Sequence, residues 1–473
     1  MRRSANHGLN VLFVALALVA GACGSASSGA PSGGGGNGGS GGTSATGGTS
    51  ATGGAGGTSA TGGTGGALPD VGTVSYYKDV APIIGAHCSG CHVDGGIAPF
   101  PLTTYAEVMP YASDIAGVTS IRYMPPWPPS LDCGTFRDAR VLSATEIAVF
   151  GAWSKQGAPE GNAADAKTVT PMGDNLGTPS VTLDPGVAYT PNAQLTDDYH
   201  CVLIDPKLAA AQDLIGFNIH PDSSATVHHV ILFSVPSTKV AAAQAADAAE
   251  AGNGWTCFGG SGVDGTPTIA GWVPGSGATA FPPPTGIHLD AGTQIIMQVH
   301  YNLLNAGGKS VSDRTKADLF YAASPIPVLK RAAISAVLNT TFSIPPGVMS
   351  QTVAADLPIK ANYDLWGVVP HMHLHGTQIH VDIQHADGTT TCAVDIPAWS
   401  FHWQQFYYYQ SAIKVKSGDN IHLTCTYDNS ATNQPVVDGV VQPPATLHWG
   451  EKTTDEMCLN YLYFTLTNPL ESP

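Results

Sequence analysis

From residue 181 onward the chain is written in short runs of β-branched and aromatic residues, broken at close intervals by Gly, Pro, Asn and Asp. One stretch with a helical period interrupts them, Lys239 to Ala251. Runs of this length bury one face each, and the economical way to bury many such faces is to pack sheet on sheet. Two β-sandwiches of similar size are expected, 181–325 and 326–473. The full length of 473 residues leaves room for about one more domain before them.

The N-terminal part falls into distinct pieces. Met1-Arg2-Arg3 and the apolar run Leu9 to Ala22 have the charged start and short hydrophobic core of a secretory signal, too short for a membrane span. Ala20-Gly21-Ala22-Cys23 closes residues 1–23 as a bacterial lipobox does, with Ala20 where Leu is usual, so Cys23 is a candidate for lipidation. Simple cleavage nearby is the alternative. Residues 24–67 are almost wholly Gly, Ser, Thr and Ala, with Gly-Gly-Thr-Ser-Ala-Thr recurring at Gly41, Gly47 and Gly56. Such a coil builds no core and holds its ends roughly 35 Å apart. It reads as a tether, with membrane contact only through a lipid anchor, at a bacterial periplasm or cell surface.

Residues 68–165 read as a small helical domain, followed by a linker at 166–180. Cys88-Ser89-Gly90-Cys91-His92 is the C-x-x-C-H arrangement in which two thiols attach a c-type haem and the adjacent His ligates iron. The competing use, a redox disulfide, wants a βαβ setting, whereas Ser75 to Ala86 reads as a helix running into the motif. Met124, in Arg122-Tyr123-Met124-Pro125-Pro126-Trp127, is the expected sixth ligand and resembles the Met-Pro segment of small cytochromes c. Met109 competes, and its plain alternative is helix packing. Ser143-Ala144-Thr145-Glu146 is a capping box that opens a closing helix.

The balance of 19 Lys+Arg against 35 Asp+Glu gives a net charge of -16, which repels phosphate backbones and excludes nucleic acid as a partner class. Nine cysteines divide into Cys23, the Cys88 and Cys91 pair, and an even set of six in an oxidising compartment: Cys133, Cys201, Cys257, Cys392, Cys425 and Cys458. Their connectivity is open at this point.

Four histidine- or methionine-bearing segments carry the chemistry. Val227-His228-His229-Val230 puts adjacent imidazoles at the start of an apolar strand; neighbours in a regular strand face opposite ways, so both serve one metal only where the strand is distorted. In Gln298-Val299-His300-Tyr301, alternation sets Gln298 and His300 on one face and Met297, Val299 and Tyr301 on the other. His371-Met372-His373-Leu374-His375 repeats His at period two, a chelating arrangement if extended, or else a solvated edge strand. Met457 lies in Asp455-Glu456-Met457-Cys458-Leu459-Asn460-Tyr461, where a Met is ordinarily core filler. A set of two imidazoles and a thioether suits copper, since soft sulfur adds little to zinc.

In order and spacing these four segments resemble the copper type II ascorbate-dependent monooxygenases, the family of dopamine beta-monooxygenase and peptidylglycine alpha-hydroxylating monooxygenase, over roughly residues 185–465. The resemblance implies two jelly-roll-like all-β sandwich domains, one copper in each, facing across a cleft. With the cytochrome c-like all-α domain ahead of them, the chain is multidomain. It implies that His228, His229 and His300 hold an electron-transfer copper, and that His371, His373 and Met457 hold the oxygen-binding copper, with His375 outside the pattern. It places Tyr461 near substrate and Gln298 near the electron-transfer site. It pairs Cys425 with Cys458 and Cys201 with Cys257, leaving Cys133 and Cys392 to pair or to remain free. Amidating members carry Arg two residues before the first His of H-x-H; Val369 stands there, which disfavours peptide amidation.

The expected activity is hydroxylation of a C–H bond in a small-molecule substrate by molecular oxygen, with two copper ions and one covalently bound c-type haem as cofactors. The external electron donor is ascorbate, a quinol or a redox protein, and the fused haem is a built-in relay. The other function class is a non-catalytic copper and haem electron-transfer or copper-handling protein. No charged substrate anchor is identifiable, and the aromatic segment Phe401 to Tyr409 either lines a cleft or, as the favoured reading, belongs to the core.

Overall fold

The computed structural model describes residues 68–467 apart from 95–97, 168–175, 224–225, 275, 305–308, 324–328 and 438. The signal, the tether and Cys23 lie outside the described residues. Among the described residues no helix is long and apolar enough to cross a membrane.

Residues 74–158 form a small helical unit with its own core. A turn of π-helix at Tyr76–Val80 runs into α1 (Ala81–His87), α2 is Ala112–Ser120, and α3 is Ala144–Lys155. Ser143 and Glu146 make the expected reciprocal cap on α3. Its apolar face buries Ile147, Phe150 and Trp153 against Val80, Ile84 and Val108.

The first sandwich carries β1 (Val181–Leu183), β2 (Asp197–Ile204), β3 (Gln212–His220), β4 (Val227–Val235), β5 (Thr268–Trp272), β6 (Thr285–Leu289), β7 (Gln294–Asn302) and β8 (Lys316–Tyr321). The helical stretch near Lys239 is present as α4 (Val240–Ala249). The second carries β9 (Lys330–Asn339), β10 (Gln351–Pro358), β11 (Tyr363–His371), β12 (Gly376–Gln384), β13 (Thr390–Ile396), β14 (Tyr407–Val415), β15 (Asn420–Tyr427) and β16 (Cys458–Leu466). Strands β2, β7, β4 and β5 make one sheet and β10, β15, β12 and β13 another. Between them runs a single sheet in the order β1-β8-β3-β6-β9-β16-β11-β14, crossing from one sandwich to the other where β6 pairs parallel to β9. Tyr408 and Tyr463 of the second sandwich pack into the core of the first. The halves therefore share both backbone pairing and apolar contact.

All six cysteines of the even set are paired: Cys201 with Cys257, Cys425 with Cys458, and Cys133 with Cys392. The last bond joins the segment after α2 to β13. Around it, Ser130 N donates to Asp395 O at 2.7 Å, Arg137 N to Tyr408 O at 2.7 Å, and Gln410 N to Thr135 O at 2.9 Å. Phe136 is buried in the second sandwich's core and stacks on Tyr409. This segment is an added edge of β14, so the helical unit is docked on the second sandwich as well as tethered to the chain.

Replacing Cys133 and Cys392 together by Ser is expected to cost roughly 2 to 5 kcal/mol, read as a lower denaturation midpoint under non-reducing conditions. Proteolytic nicking between residues 127 and 140 should rise in the same variant, while the other two disulfides persist in a peptide map.

Candidate metal centres

In strand β4 the pairing with β7 shifts register between Val227 and His229, so that Val227 faces Tyr301 and His229 faces His300. His228 is the extra residue of a bulge. That is the distortion adjacent imidazoles need, because a bulge turns two successive side chains toward one side. The His228 and His229 Nδ1 atoms lie 3.3 Å apart, and His300 Nδ1 lies 3.4 Å from His229 Nδ1. Imidazole nitrogens bound to one metal at about 2.0 Å with near-tetrahedral angles stand roughly 3.3 Å apart. The three rings converge as ligands do.

The outer nitrogen of His300 has a reason for its orientation. His300 Nε2 meets Asp197 Oδ1 at 2.9 Å in a buried pair, which leaves Nδ1 for a metal. The Tyr199 ring stacks on His300, centroids 4.0 Å apart. Burial, followed by the neighbouring His300, holds the pKa of both His228 and His229 well below the ordinary histidine value. These imidazoles are neutral at pH 7, with lone pairs free to bind.

The second set departs from the extended H-x-H-x-H picture. Strand β11 ends at His371, and Met372 to His375 form a turn before β12. Met372 is fully buried, and a Cβ on Gly376 would stand 2.9 Å from its Cβ and 3.0 Å from Trp399 Cδ1, so the turn favours glycine there. His371 and His373 both line the cavity, whereas His375 is turned into the interior, with Nδ1 3.3 Å from Glu456 Oε1. His371 Nδ1 donates to Gln404 Oε1 at 2.5 Å and His373 Nδ1 to Asp455 O at 3.1 Å, leaving each Nε2 to the cavity. Burial depresses their pKa values to about 4 for His371 and about 3 for His373.

Glu456 organises this half. Its carboxylate is fully buried and accepts from His373 N at 3.0 Å, His375 N at 2.6 Å and Met457 N at 3.3 Å. One side chain thus pins the H-x-H turn to the Met457 segment. Met457, Leu459 and Tyr461 all line the cavity, as alternation along β16 predicts.

His229 of the first set and His371, His373 and Met457 of the second line one cavity of about 380 Å³. Phe401 stands between them, stacked on His228 at 4.5 Å and edge-on to His373 at 5.8 Å. Phe401 is buried, as a core position would be, though outside the main apolar cluster that takes Tyr407 and Tyr409, six and eight residues further on. Gln298 is buried at the cavity wall and donates to Cys257 O at 2.9 Å. A carboxylate that sequence reasoning missed, Glu451, also lines the wall, its pKa raised to about 7 by burial and by Asp455. The other His-rich cluster, His380 and Asp382 beside Cys392, has its sulfur taken by the disulfide.

In the helical unit, His92 Nδ1 donates to Phe100 O at 3.0 Å, which leaves Nε2 outward. Cys88 and Cys91 are the two unpaired cysteines among the described residues. Met124 is half-buried, and Met109 is 42% exposed rather than packed. Arg140 reaches across from this unit to Gln405 in the cavity wall.

Residues 334–472 match the model of the copper type II ascorbate-dependent monooxygenase C-terminal domain. Tyramine beta-hydroxylase of Caenorhabditis briggsae is 24% identical over 216 residues, covering 43% of this chain and 34% of the relative. Both findings support the copper type II monooxygenase family. The chain spans about a third of that relative's length. Among solved structures, the major capsid protein P2 from bacteriophage PM2 aligns with 98% of its chain and 58% of this one, at 9% identity and TM-score 0.25. Allantoicase aligns with 74% of its chain and 49% of this one, at 16% identity and TM-score 0.15. Likenesses that distant carry no argument. The match to the copper monooxygenase domain begins within β9 and takes in His371, His373, Glu456 and Met457.

Glu456→Gln should weaken metal binding at the candidate set of His371, His373 and Met457 by about 10- to 100-fold, measured by chelator competition with copper as the probe. Glu451 gives a pH signature. Its folded-state pKa of about 7 lies above the ordinary 4.5, so the folded chain keeps a proton that the unfolded chain loses, and stability falls as pH rises across that window. Metal-free Glu451→Gln protein should melt above the parent at pH 8 and level with it at pH 4.5.

Proposed function

We propose that the chain is a copper-dependent monooxygenase that inserts one oxygen atom from O2 into a C–H bond of a small organic substrate. In this reading His228, His229 and His300 hold one copper and His371, His373 and Met457 the other. The observation that carries it is the convergence of three imidazoles at one point, with His229 of that set lining the same cavity as His371, His373 and Met457. Bound there, copper would supply oxygen activation and one electron per ion, which matches the two electrons the reaction consumes beyond those of the substrate.

The residues support that assignment by what they do. Asp197, Gln404 and the Asp455 carbonyl each hold the outer nitrogen of an imidazole and fix the tautomer that offers the other nitrogen. The thioether of Met457 gives the second set its softness, which suits a reduced copper. Ile334, Ala336, Leu338, Val369 and Leu459 give the cavity an apolar wall suited to the hydrocarbon part of a substrate, with Tyr461 beside Met457. Val369 offers no cation for a peptide carboxylate.

The helical unit, in the same reading, is a cytochrome c-like domain in which Cys88 and Cys91 attach a haem, and His92 and Met124 ligate its iron. Support comes from the pairing of every other described cysteine and from the orientation of His92. The contact of Arg140 with Gln405, a residue of the cavity wall, supports a role for this unit in passing electrons toward the cavity. Ascorbate, a quinol or a redox protein would be the external donor. Three disulfides favour an oxidising compartment, here a bacterial periplasm or cell surface with Cys23 as anchor.

Metal analysis and optical spectra of the purified chain should give two coppers and one c-type haem. Met457→Ile should abolish substrate-coupled oxygen uptake while leaving haem reduction intact; uptake at the parental rate would remove the assignment. His92→Ala should slow turnover with a protein or quinol donor, and unchanged turnover would remove the haem from the electron path.

A further inference from the structure

Two separate threads of contact join the three-His set to the His-His-Met set. The first begins at Asp197, the buried carboxylate that orients His300. Asp197 Oδ1 also accepts from Thr453 Oγ1, a buried hydroxyl of the second sandwich, and Thr453 Oγ1 accepts from Asn302 Nδ2 at 3.1 Å. Thr453 sits two residues before Asp455, whose carbonyl orients His373, and four before Met457. The same loop is anchored a second time, where Tyr199, stacked on His300, donates its hydroxyl to Glu451 O at 2.6 Å. The second thread runs from His228 through the stacked Phe401, whose carbonyl accepts from Gln404 Nε2 at 2.6 Å, to His371 on Gln404 Oε1.

We propose that Thr453 is a positioning residue that couples the two metal sites, so that loading either one raises the affinity of the other. The inference rests on the copper assignment above. Ordering His300 for a metal fixes Asp197; a fixed Asp197 holds Thr453, and with it the loop that presents Asp455 and Met457. The cost of ordering that loop is met once for two ions, and such coupling is reciprocal. Phe401 carries the parallel thread.

Copper bound per full-length chain, followed against buffered free Cu(I), tests the coupling. The His371→Ala/His373→Ala chain gives the constant for the three-His site alone, and His228→Ala/His229→Ala gives the constant for the other. In the parent the two-copper constant should exceed the product of these by about 5- to 150-fold, the usual range of coupling. Thr453→Val should reduce the excess at least several-fold, and Thr453→Ser should restore it. Phe401→Leu should reduce it independently, which keeps the test decisive if Thr453→Val does not fold. An excess of one in the parent, or an undiminished excess in both Thr453→Val and Phe401→Leu, overturns the coupling. Absence of copper binding in both single-site chains overturns the copper assignment itself, and the inference with it.

Discussion

A carboxylate placed where no solvent reaches it must find its hydrogen-bond donors in the protein, and Glu456 finds them in the amides of His373, His375 and Met457. That requirement ties the turn after β11 to the segment before β16, two places far apart in sequence. Without it His373 would sit on an irregular turn with no fixed direction, and Met457 would be one more apolar residue at a strand start. The constraint extends through the loop at 449–456 to Asp197 and Tyr199 of the other sandwich. The relative placement of the sandwiches and the geometry of both ligand sets are thus parts of one hydrogen-bonded construction.

Local pattern carries far in this chain. Period-two runs set the sandwiches, alternation put Met457 with Tyr461 on the cavity side, and the His228-His229 pair demanded a bulge that β4 contains. Where pattern failed, the cause was a partner distant in sequence. His375 shares the period of His371 and His373, yet the chain turns after His371 because Glu456, 81 residues on, draws in its amide. Phe401 sits in an aromatic run that reads as core, and only the fold reveals that its ring separates His228 from His373. Asp197, 103 residues from His300, and Thr453, 256 from Asp197, follow no motif at all. Orienting groups of this kind come from whichever strand or loop the topology brings near, and single-sequence periodicity does not encode that.

The helical unit illustrates the same division. Its capping box and its C-x-x-C-H motif are local and readable, while its seat on the second sandwich is not. The seat combines edge pairing, an inserted aromatic ring and a covalent bond, three interactions that fail by different routes. A unit linked only by flexible chain would sample many orientations; this one is held with Arg140 against Gln405 in the cavity wall.

The bond between Cys133 and Cys392 spans 259 residues and encloses the entire first sandwich. A chain emerging from its N-terminus presents Cys133 and Phe136 long before β13 and β14 exist to receive them. The edge that seals the helical unit is therefore completed by nearly the last strands to be made. Cys201 lies closer along the chain to Cys133 than Cys392 does and arrives earlier, so the order of oxidation matters: a premature 133–201 link would trap the first unit against the wrong sandwich. The bond acts as a clasp that reaches around the first sandwich to join the helical unit to β13.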